Sequence, residues 1–311
     1  MAIMLAAIRS RPHVKGPLPA MPTATPTAPR LLVVEGNTAE ARARQIHFGG
    51  QAASEGYAQL LRELAPGATV DICYPADPGA NLPDSGGLDG YDGIAITGSS
   101  LNIYQGGPAI APQIALIQAA FATGVPVFGS CWGLQLLTVA AGGSVRPSPR
   151  GREVGFGRRI RQTAAGHDLF ADKPGVFEAM TVHLDEVEAL PQGARLLATN
   201  DHSTVQAAEI RAGRSICWGV QYHPEYPFRE MAAIFRRLQP SLVAEGFFQD
   251  EEEEAAFIAD LEHFERDPGN KALAWRCGID DAVIAKPVRT LEIRNWVDRL
   301  VLPTRSARGR A

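Results

Sequence analysis

The sequence predicts an α/β protein with a mostly parallel central sheet and helices on both faces of that sheet. Three observations carry this. Apolar runs of strand length alternate with longer helical stretches through the first half of the chain. Pro/Gly-rich turns, such as Pro66-Gly67 and the segment Pro75 to Gly90, separate them. One apolar run then breaks sharply into a helix across a glycine-flanked cysteine, Cys131. In such sheets the functional groups gather at the carboxyl ends of the strands.

Taken in order, Met1 to Arg30 is rich in Pro, Ala and Thr and contains no acidic residue. It lacks the organisation of a signal peptide, has a composition related to that of an organelle transit peptide, and reads as a disordered tail. Arg30 to Glu35 is a continuous apolar run suited to a strand covered on both faces. A loop follows, then a helix over Ala52 to Leu64. Strands are expected at Ala68 to Tyr74, Asp92 to Thr97 and Val125 to Phe128, with a helix over Pro112 to Ala122. From Ser144 to Ile160 the short alternating pieces predict a small antiparallel excursion. Further strands are expected at Val176 to Val182, Ala194 to Ala198, Thr204 to Ile210 and Ser215 to Tyr222, followed by a helix over Phe228 to Leu238. The acidic run Asp250 to Glu254 reads as the first turn of another helix, favoured by the helix dipole. Leu291 to Val301 predicts a helix with Ile293, Trp296, Val297 and Leu300 on one face. The expected divisions are a tail at 1–30, an α/β domain at 31–240 and a helical C-terminal extension at 241–311.

A net charge of -4 gives no footing for nucleic acid or a membrane surface. No apolar run has the length of a membrane span. The four cysteines, Cys73, Cys131, Cys217 and Cys277, are widely spaced and form no CxxC. A disulfide framework or a zinc site is therefore not expected, and a reducing cytoplasm fits. No cofactor or metal is expected.

The chemistry centres on Gly129-Ser-Cys-Trp-Gly133. A nucleophile between two glycines at a strand-to-helix turn is the plan of a nucleophile elbow. The following helix N-terminus favours the thiolate, the reactive form. Alone, a cysteine of this kind is more often a packed core residue. His223 and Glu225 change that balance. They lie two residues apart after an apolar strand and supply a base for the thiol and a carboxylate to orient the base. Sγ of Cys131 and an imidazole nitrogen of His223 are expected within hydrogen-bond reach.

These motifs resemble those of a known family. GSCWGLQ (129–135) is similar to the G-x-C-x-G-x-Q elbow of class I (triad) glutamine amidotransferases, and QYHPE (221–225) to their second signature. ITGSS (96–100) resembles their oxyanion turn, and HLDEVEALP (183–191) resembles a segment of the glutaminase domain of GMP synthetases. The resemblance covers Leu31 to Leu238 and implies the family's flavodoxin-like fold. It further implies that Cys131 attacks the γ-carboxamide of glutamine, giving ammonia and a γ-glutamyl thioester that water, activated by His223, resolves to glutamate. The backbone N–H groups of Ser99 and Trp132 would hold the oxyanion, beside Gly98. Gln135 and the segment Thr181 to Asp185, with His183 and Asp185, would hold the rest of the substrate. Ser99 replaces a commoner glycine, but the backbone donor survives. His183 stands where the family has a different pattern, so substrate contact and a local hydrogen bond both remain open for it.

Three functions fit. The first is a glutaminase that passes ammonia to a separate synthetase, since the residues after Leu238 are too few for an ATP-pyrophosphatase domain and no nucleotide-binding loop occurs. The second is a γ-glutamyl peptidase or hydrolase acting on other γ-glutamyl amides. The third is a catalytically silent binding or regulatory domain, which the intact Cys131, His223 and Glu225 oppose.

Overall fold

The computed structural model describes residues 28–83 and 85–310, so the tail expected at 1–30 lies almost wholly outside them. The first four strands are β1 (Arg30–Val34), β2 (Thr69–Cys73), β3 (Gly93–Ile96) and β4 (Val127–Ser130). Next come β5 (Ser144–Pro147), β6 (Glu153–Gln162), β7 (Val176–His183), β8 (Asp185–Ala189), β9 (Arg195–Thr199), β10 (Ala207–Ala212) and β11 (Ser215–Val220). The main sheet has the order β2-β1-β3-β4-β11-β10-β9-β6-β7. Its first five strands pair in parallel. The remaining four continue the same sheet in antiparallel pairs, and β5 with β8 forms a separate two-stranded ribbon.

The period-2 alternation of each parallel strand divides the core into two layers. Leu31, Val33, Ala95 and Phe128 face α2 (Ala53–Leu64) and the C-terminal helix that contains Ile293 and Trp296. Leu32, Val34, Ile94, Ile96 and Val127 face α3 (Ala111–Phe121) and α4 (Trp132–Ala140). The Trp296 ring lies 5.9 Å from that of Phe128, so the far end of the chain closes one face of the sheet.

Three expectations need revision. The loop after β1 contains a helix, α1 (Ala39–His47). None of its residues is buried, so it has no apolar stripe to be read; it is nucleated by the Thr38 cap, whose Oγ1 accepts from Ala41 N. Strand β4 runs on to Ser130, because Gly129 and Ser130 still pair with Gly219 and Val220. The helix α5 (Phe228–Ala244) passes through Pro240. Burial of Leu242 offsets the missing hydrogen bond there. The acidic run does start a helix, α6 (Glu251–Arg266), with the Asp250 carboxylate accepting from Glu253 N at 2.9 Å. Phe264 of α6 stacks on Phe228 of α5, with ring centroids 5.0 Å apart.

Candidate active site

The parallel strands β1, β3, β4 and β11 end at one edge, and the loops leaving them build the site. At the end of β4 the backbone of Cys131 adopts φ 51° and ψ -101°. A non-glycine residue held there stores strain of about 1–3 kcal/mol. The strained turn is closed by the Cys131 N–H, which donates to the Val220 carbonyl at 2.7 Å. The two flanking glycines are a steric requirement. A Cβ on Gly129 would stand 2.4 Å from the Gly133 carbonyl carbon, and one on Gly133 would stand 2.8 Å from the Ile96 carbonyl oxygen. Gly129→Ala is therefore expected to cost about 3 kcal/mol or more by overpacking. For a chain of 311 residues that lowers the thermal midpoint by roughly 4–5 °C or more; a melting curve that overlays wild type would contradict the tight elbow.

His223 follows the end of β11. Its Nδ1 meets Glu225 Oε1 at 2.7 Å, and both side chains are almost fully buried. Burial opposes charging the imidazole, but the neighbouring Glu225 and Cys131 outweigh it and push its pKa up to about 10. Cys131 and His223 are thus neighbours, although the expected hydrogen bond between them is not drawn tight. Cys131 Sγ points to the Val182 carbonyl at 3.7 Å. His223 Nε2 is buried with no hydrogen-bond partner among the described residues. A catalytic contact that tightens only when substrate arrives has this form.

The other oxygen of Glu225 is held by residues that sequence reasoning missed. Ser130 Oγ donates to Glu225 Oε2 at 2.9 Å and lies 3.0 Å from Tyr57 Oη. Tyr222, next to His223, donates to Glu292 of the C-terminal helix at 2.7 Å, and Glu292 also pairs with Lys173 at 2.8 Å. The C-terminal region therefore anchors the strand end that carries the imidazole.

The turn at Gly98 and Ser99 packs directly on His223: a Cβ on Gly98 would stand 2.7 Å from His223 Cε1. Asn37, also unpredicted, orients this turn. Its Nδ2 donates to the Gly98 carbonyl at 3.3 Å, and its Oδ1 accepts from Ser100 N at 3.0 Å. Thr97 Oγ1 donates to the same carbonyl at 2.9 Å. With that carbonyl fixed, the Ser99 N–H across the trans peptide points the other way, and it carries no hydrogen bond among the described residues. Trp132 is the first residue of α4, where a backbone N–H has no partner within the helix. Its side chain is fully buried and donates to Gln113 at 2.9 Å, so the indole serves packing.

Cys131, His223, Gly98, Ser99, Gln135, His183 and Asp185 line one cavity of about 370 Å³, in the size range of small-molecule sites. Gln135 Nε2 donates to the Asp185 carbonyl at 3.1 Å and to Gln221 at 3.3 Å, which leaves Oε1 as its uncommitted group. His183 has both ring nitrogens occupied, by the Asp185 carbonyl at 2.9 Å and by Glu153 at 2.8 Å. That favours the local hydrogen bond over a substrate contact. The Asp185 carboxylate accepts from Asn102 at 2.7 Å and Tyr104 at 3.0 Å. Thr181 does not reach the cavity, whereas Val182 and Leu184 do.

Comparison with known proteins accords with this geometry. The family model for glutamine amidotransferase class-I matches residues 53–238. The chain belongs to the class-I glutamine amidotransferase family. One member, a gamma-glutamyl-L-1-hydroxyisopropylamide hydrolase of a Pseudomonas species, is 39% identical over 284 residues, covering 88% of this chain and 94% of its own. The glutamine-hydrolysing GMP synthase of Thermomicrobium roseum is 31% identical over 165 residues, covering 50% of this chain but only 29% of the synthase. Among solved structures, a glutamine amidotransferase from Thermotoga maritima shares the fold with a TM-score of 0.61 at 19% identity, covering 88% of this chain and 98% of that one.

Proposed function

We propose that this class-I amidotransferase-family protein hydrolyses γ-glutamyl amides larger than glutamine, through Cys131, His223 and Glu225. The observation that carries the reading is the γ-glutamyl amide hydrolase similar to this chain over nearly the full length of both. The GMP synthases match only a fraction of their own length.

The chemistry follows from the residues in place. His223 Nε2 takes the Cys131 proton, and the thiolate attacks the γ-carbonyl. The oxyanion is held by the N–H groups of Ser99 and Trp132. His223 then returns the proton to the leaving nitrogen, the C–N bond breaks, and a γ-glutamyl thioester remains. Water attacks it with His223 as base, releasing glutamate and restoring the thiol. Glu225 keeps the imidazole oriented and stabilises its charged form, with Ser130 and Tyr57 positioning the carboxylate. Gln135 Oε1 accepts from the substrate's α-amino group, and the backbone from Val182 to Asp185 borders the glutamyl part.

A second reading, a glutaminase that feeds a separate synthetase, draws on the 31% identity to a GMP synthase. Assaying purified protein against glutamine and a panel of γ-glutamyl alkylamides separates the two. Larger amides are expected to exceed glutamine in kcat/KM by about tenfold or more. Glutamine as the best substrate, or weak turnover of every amide until a synthetase is added, would favour the second reading instead.

A further inference from the structure

The leaving nitrogen must meet His223, so whatever is attached to it extends past that ring. The Tyr226 ring stacks on His223, 3.9 Å between centroids and 5° from parallel. The wall of the same cavity includes α5 and α1, which supply Arg237, Arg44 and Gln45. Four arginines border the cavity, and they differ in one respect. Arg42 is held by Asp77, with Nη2 at 2.6 Å from Oδ2, and Arg152 is held by both oxygens of Glu245 at 2.9 Å. Arg237 and Arg44 have no ion pair among the described residues.

Arg237 is partly buried. Its Nε donates to Gln45 Oε1 at 2.8 Å, which aims the guanidinium and leaves both Nη groups without a hydrogen bond among the described residues. Burial depresses its pKa, and the charges of Arg44 and Arg152 add to that against the favourable Tyr226 and Glu230. Glu230 shares the wall, but its oxygens are spent on Gln45 Nε2 at 2.7 Å and Gln51 N at 3.1 Å. Glu230 offsets part of this charge without bonding the fork, so the open Nη groups, with the Arg44 cation near them, can take a further anion. Carboxylates match that fork geometrically.

We propose that the leaving amine carries a carboxylate, bound by Arg237 with Arg44 beside it, so that the preferred substrates are γ-glutamyl amino acids or peptides. This rests on the γ-glutamyl amide hydrolase reading and narrows it. The reaction adds water across the γ-glutamyl C–N bond and yields glutamate and a free amino acid or peptide. The two arginines are specificity residues and take no part in proton transfer.

The test pairs two substrates of almost the same shape: γ-glutamyl-L-alanine and γ-glutamyl-L-1-hydroxyisopropylamide, in which a hydroxymethyl replaces the carboxylate. The wild-type protein is expected to favour the carboxylate by about tenfold or more in kcat/KM at low salt, and less as ionic strength rises. In Arg237→Met, and to a smaller extent in Arg44→Met, the ratio of the two kcat/KM values is expected to fall toward one. Arg44 is exposed on α1, so its variant keeps the test open if Arg237→Met fails to fold. A wild-type ratio at or below one would overturn the inference and leave amide hydrolysis standing. So would an unchanged ratio in the variants, since arginines that bind the glutamyl α-carboxylate would affect both substrates equally. No hydrolysis of either amide would sink the proposed function and this inference with it.

Discussion

Replacing Cys131 by alanine is expected to lower hydrolysis of γ-glutamyl amides by roughly four to six orders of magnitude. The loss has a chemical origin, because no other cysteine among the described residues lines the cavity. Cys217 and Cys73 are buried in the core, and burial pushes both thiols far up, Cys73 to about 12. Cys277 lies near the α5–α6 layer, away from the cavity lining. The fold is expected to survive the change. The Cys131 Sγ contact to the Val182 carbonyl is long, and the strained backbone is held by its own N–H bond to Val220, which alanine keeps. Steady-state rates and a melting curve measured together check this. Turnover within tenfold of wild type in a folded Cys131→Ala variant would remove Cys131 from the mechanism.

Glu225→Gln is expected to cost about 10³- to 10⁴-fold in kcat, by analogy with loss of the orienting carboxylate in other triads. The hydrogen bond to Nδ1 can persist with an amide, but the charge that favours the imidazolium is gone. The pH profile separates this from a general structural defect. In the wild-type protein the His223 pKa is raised to about 10, so the protonated form needed by the leaving nitrogen persists through neutral pH. The acylation half of the reaction is expected to weaken as pH rises through that value. In Glu225→Gln the alkaline limb is expected to move down toward the ordinary histidine range. A variant with the same alkaline limb as wild type would show that Glu225 does not set the state of His223.

The parts of this site that were readable in the sequence are those with short-range geometry. Gly129, Cys131 and Gly133 lie within one turn, so the elbow could be inferred from the need to avoid Cβ atoms, and His223 with Glu225 are two residues apart. The supports of these groups were not readable. Tyr57 meets Ser130 across 73 positions, and Glu292 meets Tyr222 across 70. Such contacts depend on strand order and on how far β4 extends, and no local pattern encodes either. Ser130 carried the one available signal, as a polar residue at a fully buried strand end beside Cys131. The helix α1 escaped for the opposite reason. It buries nothing, so it has no periodicity, yet it supplies Arg44 and Gln45 to the cavity. The parallel half of the sheet followed from uninterrupted apolar runs such as Leu31 to Val34. The joining of the antiparallel strands onto the same sheet rests on β11 pairing with both β4 and β10, which alternation along one strand does not reveal.

In the proposed mechanism Cys131 carries the γ-glutamyl group between the two halves of the reaction. Acid-quenching the protein during turnover of a γ-glutamyl amide and mapping its peptides by mass spectrometry tests this directly. One γ-glutamyl group is expected, bound as a thioester and confined to the peptide that contains Cys131. Acylation at Cys73, Cys217 or Cys277, or brisk turnover with Cys131 already alkylated, would contradict it.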